Sequence, residues 1–300
     1  MRLLDAVRHS AEVLEKAGIA DPLADAEILA YHAAGIDRLT AFIYNPEISR
    51  QTHSKITRLT ARRATGEPLQ YIAGHVDFCG LGIEVGKGVL IPRPETEQLV
   101  EEAVKTVRRE SLNVKPTNNE QNPITIIDLC TGSGCIALAL AREFPEAQVF
   151  GTDISQKALN YAKKNAAANN IKNVTFKKGS LFGPVSKEMQ FDLITANPPY
   201  IISGEIAALQ REIKDWEPIT ALDGGADGLD FYRRIISGAD KYLKPEGALI
   251  MELGYGQAAA VTEMASHNGF LNIEVINDFA GIGRIMNAGL RLGQSSHLQG

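Results

Sequence analysis

From Ile124 onward the chain alternates between short apolar runs and stretches of helical spacing, and that alternation constrains the fold more than any other feature. "ITIIDLC" reads as a buried strand and 134–143 as a helix; "AQVFGTDI" is a strand and 155–169 a helix. "NVTFKKGS" and "FDLITAN" are further strands, 228–243 a helix, "GALIMELG" a strand and 256–268 a helix, followed by "NIEVIND" and "GRIMNAG". Strands separated by helices form βαβ crossovers and hence a parallel sheet. The last two strands have no helix between them and predict an antiparallel ending. The expected fold class is α/β, a mostly parallel sheet flanked by helices.

The region before it is different. Residues 1–75 read as a small all-helical domain with no strand pattern. Leu3, Leu4, Val7, Ala11, Val13 and Leu14 recur near helical spacing, with Gly18 as a stop. Asp21-Pro22 predicts a cap and a first-turn proline for a helix reaching Gly35, and a further helix is expected over 47–65. The stretch 76–91 has short β-type runs broken by glycine and predicts a β-hairpin linker. The main domain is expected over 92–290, with a helix from Thr96 to about Arg109. "SLNVKPTNNEQNP" is polar and bounded by prolines, so a loop is expected there, and 291–300 reads as a polar tail.

Composition narrows the function classes. The net charge of −5 argues against a surface built to neutralise phosphates, so no stable nucleic-acid binding is expected. Three cysteines, Cys79, Cys130 and Cys135, lack the spacing of a disulfide framework or a zinc site, so no metal is expected. No apolar run is long enough to cross a membrane, and the first residues are too charged for a signal peptide. A cytoplasmic monomer is the expectation. Lys55, Arg58, Arg62 and Arg63 recur at three- and four-residue steps, as a solvated helix face or as a basic docking face.

"IIDLCTGSGCIALALA" is a strand, a glycine-rich turn and a helix. Gly132 and Gly134 permit close approach of backbone N–H groups to a ligand at a helix N-terminus. The plainer alternative is a tight connection and nothing more. Asp153 closes the next strand, where a carboxylate can accept hydrogen bonds from both ribose hydroxyls of a nucleoside cofactor, or can help cap the following helix with Ser155. Dinucleotides and S-adenosylmethionine both fit this pattern. Asp128, just before the turn, suits a sulfonium and an ammonium better than a pyrophosphate. Its alternative role is a buried acid that fixes the turn.

"ITANPPYI" places two prolines between an amide and a phenol at the end of the fourth strand. Proline suits neither a central strand nor a helix interior. Ligands of open α/β sheets bind outside the carboxyl ends of strands, so Gly132, Asp153, Ser180 and Asn197 are expected to line one crevice. A planar nitrogen is a poor nucleophile because its lone pair is delocalised. An enzyme that methylates it needs two fixed acceptors for its N–H protons. The Asn197 side-chain oxygen and the Pro198 carbonyl meet that need, held still by the restricted backbone, and Tyr200 offers a flat face to cover the group.

These segments resemble class I S-adenosylmethionine-dependent methyltransferases. With "GEPLQYIAGHVDFCGLGIEVGKGVLIPRPETEQLVE", "WEPITALDGGADGLDFYRRII" and "DFAGIGRIM", the chain more specifically resembles the PrmC/HemK family of release factor glutamine methyltransferases. The resemblance covers nearly the whole chain. It implies a Rossmann-like methyltransferase domain, S-adenosylmethionine as cofactor and class I peptide chain release factors as substrate and partner. Methyl transfer would go to the side-chain nitrogen N5 of the glutamine in their Gly-Gly-Gln motif. It implies that Cys130, Thr131, Gly132, Ser133, Gly134 and Asp153 hold the cofactor, with Asn197 beside it and Leu181 against the adenine. Asn197, Pro198, Pro199 and Tyr200 would hold the glutamine amide, with Asn197, Pro198 and Tyr200 in the catalytic role, and the helical domain would dock the release factor. The chain departs from the family pattern at Cys130, where glycine is frequent, and at Ser180, where an acid is common. The rival reading is an adenine-N6 methyltransferase acting on DNA or RNA, which would use the same physics on a flipped base.

Overall fold

In the computed structural model the described residues are 1–113 and 123–290, and they divide into two compact units. The first holds Met1–Val76, Val85–Lys87 and Leu209–Glu217; the second holds Asp77–Glu84, Gly88–Ala208 and the residues from Pro218 onward. Of the loop expected over 111–123, residues 111–113 instead end the helix that starts at Pro94, and 114–122 lie outside the described residues, as does the expected tail over 291–300.

The first unit is built from α1 (Leu3–Lys16), α2 (Pro22–Ala34), α3 (Arg38–Tyr44), α4 (Arg50–Ala64) and α5 (Leu69–Ala73). Helices α1, α2 and α4 pack on one another and enclose Leu3, Val7, Leu14, Leu29, Ile56 and Leu59. Each such side chain contributes about 1.5–3 kcal/mol on burial. Proline at the first position opens α2, while the Asp21 side chain makes no cap hydrogen bond. Asp37 and Ser49 do cap, accepting from the backbone N–H of Thr40 and Thr52 at 2.8 and 3.0 Å. Two short helices, α3 and α5, fall outside the sequence expectation. At 7 and 5 residues neither is long enough to display an apolar stripe. The basic face expected on α4 is corrected as well. Arg63 is buried, and its Nε donates to Asp25 Oδ2 at 2.6 Å while a second nitrogen pairs with Glu212. Arg62 is tied to Glu67, its Nε donating at 2.8 Å. Half of that face is therefore internal ion pairing rather than a docking surface.

The expected hairpin follows, β1 (His75–Phe78) and β2 (Leu81–Glu84), which lies in the second unit from Asp77, and then α6 (Pro94–Asn113). There follow β3 (Thr125–Leu129), α7 (Cys135–Glu143), β4 (Gln148–Asp153), α8 (Gln156–Ala168), β5 (Val174–Lys178) and β6 (Phe191–Ala196). The short helix α9 (Arg211–Lys214) lies in the segment assigned to the first unit. Then come α10 (Asp230–Ala239), β7 (Leu243–Glu252), α11 (Ala258–His267), β8 (Phe270–Asn277) and β9 (Gly283–Leu290).

Seven of these strands form one sheet in the order β5-β4-β3-β6-β7-β9-β8. β3 pairs in parallel with β4 and β6, β4 with β5, and β6 with β7, whereas β9 runs antiparallel to both β7 and β8. The α/β class with an antiparallel ending is thus the observed one. Ile126, Ile127 and Leu129 of β3 and Leu193, Ile194 and Ala196 of β6 are all buried, which accounts for their unbroken apolar runs. Successive strands leave β3 toward one edge, and β6 then opens the other half. The sheet order therefore reverses between β3 and β6, and a crevice is expected at their carboxyl ends.

Candidate active site

Residues 130–134 turn the chain from β3 into α7. Cys130, Gly132 and Gly134 all adopt the left-handed region, with φ of 58°, 55° and 81°. Gly134 is needed twice over. A Cβ there would lie 3.0 Å from both Ala162 Cβ and Phe176 Cζ, so α7 starts hard against its neighbours. Cys130 holds the same conformation with a side chain, at a cost of about 1–2 kcal/mol. Asp153 braces the turn: Oδ2 accepts from the Gly132 N–H at 2.9 Å and Oδ1 from the Ser155 N–H at 2.7 Å. Ser155 is the helix cap, its Oγ accepting from Ala158 N–H at 3.2 Å. Burial raises the Asp153 carboxyl, and the two backbone N–H groups oppose that shift.

Asp128 plays the second of its two expected roles. It is fully buried and accepts from Thr131 Oγ1 at 2.6 Å and Thr195 Oγ1 at 3.0 Å. Burial pushes its carboxyl up to about 7 against those two hydroxyls. It fixes the strand ends from beneath rather than facing a ligand.

On the far side, the Asn197 side chain is locked. Nδ2 donates to Thr96 Oγ1 at 3.1 Å, and Thr96 Oγ1 donates to Glu252 Oε2 at 2.6 Å. Thr96 lies in the first turn of α6 and does not cap it; its hydroxyl is spent on Glu252, at the end of β7. Tyr200 is steadied through its backbone, its carbonyl accepting from Gln257 Nε2 at 2.9 Å. The Tyr200 ring packs against the core, and burial pushes the phenol up to about 12, so it holds its proton at neutral pH.

A cavity of about 870 Å³, including space open to solvent, lies where these two sides face each other. Cys130, Thr131, Gly132, Ser133, Asp153 and Leu181 line it, and so do Asn197, Pro199 and Ser180. The structure thus gathers Gly132, Asp153, Ser180 and Asn197 from four strand ends. Gly134, Pro198 and Tyr200 are not in the lining. Leu90, Pro92 and Thr96 of "LIPRPETE", a segment whose sequence fits a pocket wall or a plain strand-to-helix entry, line the cavity as well, as do Pro218 and Thr152, and sequence reasoning missed Thr152. Thr152 immediately precedes Asp153 in β4 and pairs with Leu129, the last residue of β3.

The walls fit an adenosyl cofactor. Leu90, Ile154, Leu181 and Phe231 supply apolar surface, and Asp153 supplies a carboxylate anchored by N–H groups. Thr152 Oγ1 is buried and has no protein partner among the described residues, an orphaned polar atom that a polar ligand would satisfy. Cys130 also lines the cavity, and burial pushes its thiol up, so no thiolate competes there for an electrophilic methyl group. Ser180 Oγ accepts from an Arg234 guanidinium nitrogen at 2.7 Å, so a hydroxyl-guanidinium pair stands where the family pattern has an acid. Among the described residues no group of three or more His, Cys, Asp or Glu is placed to hold a metal ion, and no helix is long and apolar enough to cross a membrane.

Comparison with known proteins agrees with this geometry. Residues 5–74 match the PrmC N-terminal domain and residues 120–283 a methyltransferase domain. The chain is 48% identical to the release factor glutamine methyltransferase of Thermodesulfovibrio yellowstonii over 95% of its own length and 97% of that protein's. It is 41% identical to the protein of that name from Geobacter sulfurreducens over 91% of each chain. Among solved structures, the hMettl16 catalytic domain in complex with an MAT2A 3′UTR hairpin superposes with a TM-score of 0.54 at 20% identity, covering 78% of this chain and 82% of that one, which shows a shared fold. With relatives this similar along nearly its whole length, the chain belongs to the release factor glutamine methyltransferase family.

Proposed function

We propose that the protein transfers a methyl group from S-adenosylmethionine to the N5 side-chain nitrogen of the glutamine in the Gly-Gly-Gln motif of class I peptide chain release factors. The observation that carries this reading is the orientation of Asn197. Its Nδ2 is bound to Thr96, so Oδ1 is the atom left for a ligand in the cavity. A carbonyl-type acceptor is what an incoming primary amide N–H requires.

S-adenosylmethionine, when bound, supplies an electrophilic methyl on a sulfonium and leaves as a neutral thioether. The residues around it do the positioning. Asn197 Oδ1 accepts one N–H of the glutamine amide and the Pro198 carbonyl accepts the other, which aims the nitrogen lone pair and lets the N–C bond form as the S–C bond breaks. The nitrogen then carries a proton in excess and loses it to water. Cys130, Thr131, Gly132, Ser133, Gly134 and Asp153 hold the cofactor, Asp153 by its carboxylate, with Leu181 against the adenine. Pro199 and Tyr200 confine the amide. Catalysis rests on alignment and on acceptors fixed before the substrate arrives. The helical unit docks the release factor, and α3 presents Leu39, Phe42, Ile43 and Tyr44 exposed on its surface.

The test is peptide mass spectrometry of an unmodified class I release factor after incubation with the protein and S-adenosylmethionine, with duplex DNA as a parallel substrate. One added methyl on the Gly-Gly-Gln glutamine is expected. An unmodified release factor beside methylated adenine would replace this reading with the nucleic-acid one.

A further inference from the structure

Asn197 is useful as an acceptor only in one of its two amide orientations. Flipped by 180°, the same side chain offers Nδ2, which repels an incoming N–H. Shape alone does not choose between the two, because oxygen and nitrogen are nearly the same size. Something must choose, and the hydrogen-bond chain behind Asn197 runs in one direction.

We propose that Thr96 and Glu252 are positioning residues that set the amide orientation of Asn197, through a one-way hydrogen-bond chain ending on the Glu252 carboxylate. This deepens the function proposed above and rests on it. An ionised carboxylate has no proton and only accepts. Thr96 Oγ1, 2.6 Å away, must therefore spend its one proton on Glu252 Oε2. Its lone pairs are then all it can offer Asn197, so the atom facing it at 3.1 Å must be the donor Nδ2. The acceptor Oδ1 is left facing the cavity, whose lining includes both Asn197 and Thr96. Thr96 and Glu252 are 2% and 3% exposed, so water does not scramble the order. The two residues stand 156 positions apart in sequence and are brought together by α6 packing against β7.

The chain reverses if Glu252 is protonated. A carboxylic acid can donate to Thr96 Oγ1, which frees the Thr96 proton for Asn197 and favours the flipped amide. The carboxyl is poised for this, since burial pushes it up to about 7, opposed first by the Thr96 hydroxyl. The groups facing it from neighbouring elements are Glu95 of α6 and Tyr200 and Tyr232, with Arg93 and with Arg284 of β9 favouring the charged form. Arg284 is itself paired with Asp278 at 3.1 Å. The acceptor orientation is therefore held above neutrality and lost below it.

The experiment uses the full chain with unmodified release factor and saturating S-adenosylmethionine, measuring kcat and KM from below to above neutral pH. Thr96→Val, Thr96→Ser and Glu252→Gln are compared with the native protein. Calorimetric titration of S-adenosylmethionine and the ¹⁵N–¹H side-chain signals of Asn197, assigned by their loss in Asn197→Asp, are read in parallel without turnover. Native kcat is expected to rise through about pH 7. Thr96→Val keeps the shape but not the hydroxyl; its kcat falls about 10- to 100-fold above neutrality, KM and cofactor affinity stay within about twofold, and the limb near pH 7 disappears. Thr96→Ser restores most of the rate, the limb and the shifted Asn197 signals. Glu252→Gln, which can accept or donate, lies between. Thr96→Val with native kcat, or Thr96→Ser that fails to rescue, overturns the proposal. So do Asn197 signals that ignore both Thr96 substitutions. Absence of release factor methylation by the native protein sinks the proposed function instead, while the Asn197 signals still report on the chain behind it.

Discussion

The two sides of the cavity are built by different means. On the β3–β4 side the backbone does the work: three residues of the turn sit at positive φ, and one carboxylate, Asp153, accepts from the Gly132 N–H of that turn and from the N–H of Ser155, the cap of α8. On the β6–β7 side the side chains do it: Asn197 hangs on Thr96 and Glu252, and Tyr200 on Gln257. A cofactor that is always the same suits a rigid cradle of main chain. A substrate amide whose two protons must be met in the right order needs acceptors whose polarity is specified, and only side chains with defined donors and acceptors specify it.

That contrast predicts that damage on one side leaves the other's task intact. The largest effect is expected for Asn197→Ala. It removes the acceptor, so methyl transfer should fall by about 10²- to 10³-fold, the scale seen when one fixed polar group at a reacting centre is lost. Cofactor affinity by calorimetry should remain within about threefold. Equal turnover by the variant would show that the β6 side is only scaffolding. Next is Asp153→Ala, where the expected pattern is reversed. The cofactor dissociation constant should rise about 10- to 100-fold, as for loss of a charged acceptor, while kcat at saturating cofactor stays within about threefold. Unchanged affinity would mean that Asp153 only braces Gly132 and Ser155.

The same contrast explains what could be seen in the sequence. The glycine side was readable because a local turn needs residues of a particular kind at fixed spacing, and Gly132, Gly134 and Asp153 advertise it. The mostly parallel sheet was readable because β3 and β6 are buried on both faces and so are apolar without interruption, whereas the order of the strands in it was not read from the sequence. Asn197 was readable because Pro198 and Pro199 make no sense as strand or helix. Thr96 was not, because it looks like an ordinary residue of a helix start, and nothing local says that its hydroxyl reaches across to β7. Arg63 misled for a related reason: its spacing on α4 puts it in step with Lys55 and Arg58, but Asp25 and Glu212, brought in from distant sequence, make it a buried ion-pair centre. Contacts of long sequence separation carry no periodic signal.

Gln257→Leu tests whether the backbone of the Asn197–Tyr200 segment needs its outer support. The Gln257 side chain donates to the carbonyls of Tyr200 and Gly228, at 2.9 and 3.3 Å, and accepts from the Gly254 N–H at 3.2 Å. Leucine of similar size leaves these groups without that partner, at about 1–3 kcal/mol of stability. Thermal unfolding should shift down accordingly, and kcat should fall about three- to tenfold with cofactor affinity unchanged. A loss of cofactor affinity equal to the loss of kcat would mean that the two sides are not separable.

The smallest effect is expected at Cys130, and it sharpens the claim that conformation rather than chemistry is what the glycine side requires. The residue sits at φ 58°, a conformation that costs a non-glycine residue about 1–2 kcal/mol. Cys130→Gly removes that strain but gives the unfolded chain more freedom, worth about 0.5–1 kcal/mol in the opposite direction. The two nearly cancel, so chemical denaturation should place the variant within about 1 kcal/mol of the native protein, and cofactor affinity should stay within about twofold. Cys130→Val is the complementary change. It keeps a side chain of similar size and also lacks an ionised group, but its β-branch is worse suited to positive φ, so it should lose about 1–2 kcal/mol more than the glycine variant. If Cys130→Gly weakens cofactor binding tenfold while Cys130→Val does not, the bulk of the side chain, not the turn conformation or the thiol, is what the cofactor feels on this wall.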